Sequence, residues 1–485
     1  MSPTNTGTIQ RAIEMVTNLI WKRSLLGLSL LLWGGCKPSP PGGPGPSGLA
    51  VSSPSAATST AQPILSPSPT ATATPKPIAA PNLPPLTNSE RKELEQSKLL
   101  DGYRELAFEL LHLLSKELPP EKNLIFSPYS IGTSLTLLYL GASGSSKQEL
   151  AKLLHIEQMS EKQVLREFEL LKRRELSRID SFSKINETYP DVENINAFWL
   201  AAGRNFVPSY IQQVQPLYPY FLTLPANENT ATYLKQWIQT QSRGQVGELD
   251  SFEEEIAPEQ NSGLLSALYL RAHWYYPFES EKTQSRTFTT ETAQSKVFPF
   301  MVIDPMINQF QTIDSRKDVY YSDQFNAQAI KLGLAYTYDM MIVLPKEKSA
   351  LTWAKTTTAG EWYGLKSSME IRGIQELAVP RWTQKQSHNL LPLLQTLGAS
   401  TLNQNPDFSN LMQSSLKLGS ARHYSALTIT EDGVGGGTVN SRAQNLEEPT
   451  KQLSFVVDKP FFYTIHDDYT NAILYMGTIN DPTQP

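Results

Sequence analysis

Gly433, Gly435, Gly436 and Gly437 are interleaved with Val434 and followed by Thr438 and Val439, two residues beyond the acidic Glu431, and a polar run then continues to Thr450. Glycine lacks a Cβ and leaves φ and ψ free, whereas β-branched residues favour a pleated strand. A segment mixing the two suits a loop in one state and a strand in another. That is conformational chemistry. The arrangements of group-transfer chemistry are missing. The sequence has no Gly-x-Ser-x-Gly elbow, no His-Glu-x-x-His and no spaced cysteine set, so neither a hydrolase nor a metal centre is indicated. Gly433-x-Gly435 does not complete a phosphate loop, because Thr438 stands where a third glycine is needed. No metal ligand set and no cofactor are expected, and the protein reads as something other than an enzyme.

The one cysteine, Cys36, belongs to a different kind of chemistry. Lys22-Arg23 precede an apolar run, Ser24–Trp33, and then Gly34-Gly35-Cys36. A basic start, a short apolar stretch and small residues make an export signal over residues 1–36, too short for a spanning helix. The end of it resembles the lipobox of bacterial lipoproteins, in which the cysteine takes a lipid, although Trp33 stands where that box usually has leucine. On this reading the protein is exported and anchored to a membrane, facing the periplasm or the extracellular space. A plain signal peptide releasing a secreted soluble protein is the alternative. Residues 37–88 are rich in Pro, Ser, Thr, Ala and Gly, too poor in apolar surface to offset chain entropy. They read as a disordered tether, and at ~3 Å per residue its contour is on the order of 100 Å.

Residues 89–485 must build the scaffold. The chain is 40% hydrophobic and 18% charged with a net charge of −5, an ordinary globular balance that gives no footprint for nucleic acid. From Ser89 apolar residues recur at helical spacing (Leu94, Leu99, Tyr103, Leu106, Leu110, Leu113) until Pro119-Pro120. The stretch Asn123–Ala142 is apolar nearly all round and reads as a buried helix. Strand-like runs follow at Ile195–Leu200, Leu264–Arg271, Tyr338–Pro345, Ile374–Pro380, Leu453–Val457, Phe461–Ile465 and Ala472–Met476. Helices first and strands later predict an α+β domain with large, mostly antiparallel sheets.

At this level the domain resembles the serpins. Asn123-x-x-x-Ser127-Pro128-x-Ser130-Ile131, closing in Gly141-Ala-Ser-Gly-Ser-Ser-Lys-Gln-Glu-Leu150, is similar to the family's second helix and its following turn. Trp237-Ile through Gly244-x-Val246 resembles the helix before the central strands. Ala267-Leu-Tyr-Leu-Arg-Ala-His-Trp274-x-x-x-Phe278, with Thr283 and Phe288, resembles the central strand and its tryptophan. Phe455-Val-Val-Asp-Lys-Pro-Phe-Phe-Tyr-Thr-Ile465 and Leu474-Tyr-Met-Gly-Thr-Ile-Asn-Asp-Pro482 are similar to the C-terminal signature. Two departures stand out, Ser266 and Lys235 at positions where the family usually has asparagine.

The resemblance implies a serpin fold, helices around three mostly antiparallel sheets, with an exposed reactive-centre loop. It implies a monomeric suicide inhibitor of a serine protease, with cysteine proteases as a second target class. The cut loop would enter the main sheet as a new strand, as serpin loops do when they add to their own sheet. The hinge would comprise Glu431, Gly433, Val434 and Gly435–Gly437. The shutter and breach, where the sheet parts, would comprise Ser127, Ser130, Ser266, His423 and Trp274. The residues facing inward after insertion would be Val434, Gly436, Thr438, Asn440, Arg442 and Gln444. Family spacing from Glu431 puts the scissile bond at Glu447–Glu448, with Leu446 or Pro449 as alternatives. An arginine facing a core is expensive, so a non-inhibitory serpin serving as a binding or carrier module on the cell surface is the rival reading. Without the resemblance, His423 reads as a satisfied core histidine.

Overall fold

The computed structural model describes residues 84–182, 191–217, 220–226, 229–242, 244, 261–303, 318–334, 337–413, 417–435 and 452–484. Cys36, Gly436, Gly437, Thr438, Asn440, Arg442, Gln444, Leu446, Glu447, Glu448 and Pro449 lie outside them, as do the export signal and nearly all of the tether.

The opening helical pattern is two helices, Asn88–Glu95 and Lys98–Lys116. Ser97 divides them. Its hydroxyl accepts from the Leu100 amide and caps the second helix, and serine favours this position because it satisfies an otherwise orphaned N–H. The expected buried helix begins later than its apolar run. Leu124–Phe126 is a strand, Ser127 caps, and Pro128–Gly141 is a helix buried at every residue. Proline fits the first helical turn, where its missing N–H costs nothing.

The strands in chain order are β1 (Leu124–Phe126), β2 (Asp191–Leu200), β3 (Tyr220–Thr223), β4 (Ser262–His273), β5 (Gln284–Thr289), β6 (Ser295–Ile303), β7 (Asp318–Gln324) and β8 (Ala327–Gly333). They continue with β9 (Tyr338–Pro345), β10 (Glu370–Pro380), β11 (Trp382–Asn389), β12 (Ser420–Thr430), β13 (Gly433–Val434), β14 (Gln452–Val456), β15 (Phe461–Asp467) and β16 (Ile473–Ile479). A ten-stranded sheet runs β1-β16-β15-β9-β8-β7-β10-β6-β5, with β14 parallel to β10. A six-stranded sheet runs β11-β12-β13-β4-β2-β3. Two of the three expected sheets are therefore one ladder, joined where Glu370–Gly373 pair with Asp318–Tyr321.

The smaller sheet is buried on both faces. Leu264, Leu268, Leu270 and Ala272 of β4 face the main core with the helices and the larger sheet. Leu265 and Ala267 face a second cluster under the helix Thr230–Gln241, built from Trp199, Leu234, Trp237 and Tyr424. Strand side chains alternate faces, so every residue entering this sheet commits to one cluster or the other. Among the described residues no helix is long and apolar enough to cross a membrane.

Candidate functional site: the hinge and the closed half of the smaller sheet

β12 and β4 are parallel neighbours over six rungs, from Ser420↔Gly263 to Ser425↔Leu268. Beyond these they part, and β13 fills the gap. Gly433 and Val434 pair antiparallel with Thr430 and Ile429 on one side and with His273 and Ala272 on the other. Val434 is 1% exposed and lies in the main core. The root of the glycine-rich segment is thus already a strand.

Two glycines make this entry possible. A Cβ on Gly433, whose φ is +140°, would stand 2.2 Å from the Ala272 carbonyl oxygen. Gly435 has φ +77°, donates its N–H to the Thr428 carbonyl at 2.9 Å, and carries the chain onward in a left-handed conformation. Only glycine adopts such backbone without strain.

The turn Glu431-Asp432 joins β12 to β13. Neither residue has positive φ, so the turn lacks the primed geometry whose twist matches two paired strands. Other groups hold it. The Trp274 indole N–H donates to the Thr430 carbonyl at 2.8 Å, the Trp274 amide to Asp432 at 3.1 Å and the Phe278 amide to Glu431 at 3.1 Å. The Glu431 carboxylate, on a residue 6% exposed, accepts from Arg381 Nε at 2.8 Å, from Arg381 Nη2 and from the Thr283 hydroxyl. Burial pushes this carboxyl up, but the Arg381 and Thr283 hydrogen bonds outweigh it and hold it below its usual range.

The closed half is latched by a histidine. His423 is fully buried, and its Nε2 accepts the Ser127 backbone N–H at 2.8 Å. An accepting Nε2 places the ring proton on Nδ1, which lies 2.9 Å from the Ser266 hydroxyl on β4. The Ser425 hydroxyl lies 2.9 Å from Nε2. Burial, reinforced by His388 nearby, holds His423 well below the ordinary histidine value, so the ring is neutral. Ser127, Ser266 and His423 therefore meet, as does Ser425, which sequence reasoning omitted. Ser130 lends only its amide, to the Ser127 hydroxyl at 3.1 Å, and its own Oγ has no partner. Trp274 sits apart from the latch, at the hinge turn.

Sequence reasoning missed several residues around these two points. Asn194 and Asn196 of β2 donate to Thr133 Oγ1 at 2.8 and 3.0 Å, and Asn196 is the rung next to Ser266. On β11, Gln386 receives the Ile125 amide at 2.8 Å, Gln384 Nε2 donates to Leu124 O at 3.0 Å, and His388 Nε2 lies 2.7 Å from Ile125 O. These side chains satisfy the open edge of β1, which would otherwise bury unpaired backbone groups. Their signal was legible: Gln384, Gln386 and His388 alternate at the strand period.

One cluster of a different kind lies elsewhere. The donor atoms of Asp339, His466 and Asp468 fall within 4.8 Å of one another. Lys331 Nζ is 3.0 Å from Asp339 and 3.2 Å from Asp468, and Lys366 is 2.9 Å from Asp468. Two ammonium groups thus sit where a cation would, and the set is an ion-pair network.

The smaller sheet thus holds the root of the glycine-rich segment as a short strand between the ends of β12 and β4. Comparisons with known proteins agree. Residues 101–482 match the family model described as serpin, serine protease inhibitor, and the chain belongs to the serpin family. Serine protease inhibitor 88Ea of Drosophila melanogaster is 25% identical over 80% of this chain and 92% of its own. An uncharacterized serpin-like protein of Methanosarcina mazei is 23% identical over 78% and 85%. Among solved structures, the thermophilic serpin tengpin in its native state superposes with a TM-score of 0.66, at 18% identity over 80% of this chain and 95% of its own. Human thyroxine-binding globulin bound to thyroxine does so at 0.67, at 20% identity over 79% and 98%. These likenesses carry the fold. Protease inhibition is the function of the family generally.

Proposed function

We propose that this protein is a suicide substrate for a serine-type endopeptidase, trapping it by insertion of the cut loop between β4 and β12. The observation that carries the reading is the hinge: Gly433 and Val434 already pair with both strands. The protease's nucleophile attacks the scissile carbonyl, taken as that of Glu447, and becomes acylated while the chain beyond is released. The freed N-terminal side then adds to the sheet, gaining a hydrogen-bond ladder on each edge. A dozen residues at ~3.3 Å each move the tethered enzyme on the order of 40 Å. Distortion of its site must precede attack by water on the acyl bond.

Incubation with a glutamyl endopeptidase should give a complex that survives denaturing electrophoresis, with release of a C-terminal peptide beginning at Glu448 by mass. A subtilisin-like enzyme acting at Leu446 is the second trial. Clean cleavage with no complex, by either enzyme, would sink the inhibitory reading. A serpin that binds or carries a ligand in place of trapping a protease is the second reading, favoured by Arg442, whose charge opposes full insertion. We propose also that residues 1–36 export the chain, that Cys36 is lipidated, and that residues 37–88 hold a monomeric domain away from the membrane. Cys36→Ser should then move the protein from the membrane to the soluble fraction; retention on the membrane would refute the anchor.

A further inference from the structure

Beside the hinge the smaller sheet ends in a cleft of about 450 Å³, a volume typical of sites for small molecules. It lies where β11 begins, where β12 ends and where the C-terminal residues Pro482–Gln484 pass β6. Phe298, Pro299 and Pro482 give it apolar walls, and Thr383, Thr428 and Thr430 belong to its lining as well. The Thr383 hydroxyl donates to that of Thr428 at 3.3 Å. The Thr430 hydroxyl is buried and has no partner, a costly condition for a polar group.

Among the described residues lining the cleft, Arg381 alone carries a charge. Its amide donates to the Pro299 carbonyl at 3.2 Å, which holds the residue against β6. Its guanidinium turns one edge, Nε and Nη2, to the Glu431 carboxylate. Nη1 makes no hydrogen bond among the described residues, and 40% of the side chain is exposed. A guanidinium has five N–H groups in a fixed fork, so a second edge, Nη1 with the outer hydrogen of Nη2, is left to accept a carboxylate in bidentate fashion.

The charge balance selects the ligand. An uncharged apolar molecule would cover Nη1 and strip it of water without return. A phosphate or a dicarboxylate would bring a second negative charge that no lining residue answers, next to Glu431 on the other edge. We infer that this cleft binds a small amphipathic monocarboxylate, with its carboxylate on the free edge of Arg381 and its hydrocarbon body against Phe298, Pro299 and Pro482. Ligand and Glu431 then share one guanidinium from two sides, and like charges on one cation weaken each other. That coupling is reciprocal: filling the cleft relaxes the hold of Arg381 on the hinge, and a weaker hold tightens the ligand. The inference requires neither loop insertion nor trapping of a protease, so it stands or falls apart from the proposed function.

The test titrates the full, uncut chain with octanoate and with phenylacetate by calorimetry, using octanamide as the uncharged control. Each acid should saturate one site, and octanamide should bind about tenfold more weakly than octanoate, the value of a charge-assisted hydrogen bond. Arg381→Gln should lose about the same factor for octanoate, and Arg381→Lys, which keeps the charge without the fork, should recover part of it. Glu431→Gln removes the competing charge and leaves Arg381 in place; it should bind octanoate about fivefold more tightly. No saturable binding of either acid would overturn the site. Equal affinity for octanoate and octanamide, or unchanged affinity in a folded Arg381→Gln, would overturn the role of the guanidinium. A Glu431→Gln protein that binds octanoate no more tightly than the wild type would overturn the coupling to the hinge.

Discussion

Glu431 concentrates the forces that hold the hinge. Its carboxylate is buried and takes three hydrogen bonds from Arg381 and Thr283, and charge-assisted bonds of this kind are the strong ones. Arg381 keeps 40% of its side chain exposed, so removing Glu431 strands a cation that water can still reach. Glu431→Ala is therefore expected to cost about 1–3 kcal/mol in chemical denaturation and to speed proteolysis near Gly435. An unchanged cleavage rate would mean that the backbone bonds from Trp274 and Phe278 hold the turn alone. Because this carboxyl titrates lower in the folded protein than in the unfolded one, its contribution is complete at neutral pH. It is lost as pH falls below the ordinary carboxylate range. Gly433→Ala attacks the same point sterically. Its Cβ would meet the Ala272 carbonyl at 2.2 Å, so the β13 pairing should break and the amide of Val434 should lose its protection from hydrogen exchange. Retained protection would count against the steric argument.

At the scale of elements, β12 and β4 are held together by a histidine that works only when neutral. Protonating Nε2 would set an N–H against the Ser127 N–H that it now accepts. His423 titrates well below its unfolded value, so the unfolded chain binds the proton first. Stability is then full above about pH 6.5 and falls as pH drops, by about 1.4 kcal/mol per pH unit for this group. Melting temperature should decline from pH 7.5 to pH 5.5 more steeply in the wild type than in His423→Gln; equal slopes would remove His423 from the acid response. His466, also buried and held neutral by burial, adds a second such slope that both proteins share. The latch also marks what a sequence can reveal. The strands at Leu264–Arg271, Tyr338–Pro345 and Phe461–Ile465 were readable because alternation and apolar runs depend on neighbouring residues. Ser127, Ser266 and His423 came together only through family resemblance, since nearly 300 positions separate Ser127 from His423. Arg381 gave no signal because its carboxylate partner lies 50 residues away and nothing local demands one. The alternation of Gln384, Gln386 and His388 was visible at strand spacing, and its purpose appeared only once β1 was found beside it.

For the whole molecule the decisive quantity is the difference in stability between the intact and the cut chain. The proposed insertion would give up the six rungs between β12 and β4 and gain a ladder on each side of the new strand, so the balance would favour the cut form unless a side chain opposes it. In the register set by Val434, Arg442 is that side chain. On the proposed insertion it would fall between Ala421 and Leu264, both 0% exposed, and the next strand presents Phe198 beside Leu264. A guanidinium on such a rung would face no carboxylate on Ala421 or Leu264, and a buried charge without a counter-charge costs several kcal/mol. The strand ends close by, since Ser420↔Gly263 is the last rung, so insertion is expected to run through Asn440 and slow or stop at Arg442. Arg442→Thr should raise the melting temperature of the cut protein by several degrees and leave the uncut protein unchanged. Arg442→Glu should show no such rise, because it exchanges one unpaired charge for another. If the proteolytic complex forms, Arg442→Thr should also lower the number of inhibitor molecules consumed for each protease trapped, because faster insertion leaves less time for hydrolysis. A cut Arg442→Thr protein that melts with the cut wild type would mean that the guanidinium reaches water past Ser262 and Gly419, and that this position sets no limit on insertion.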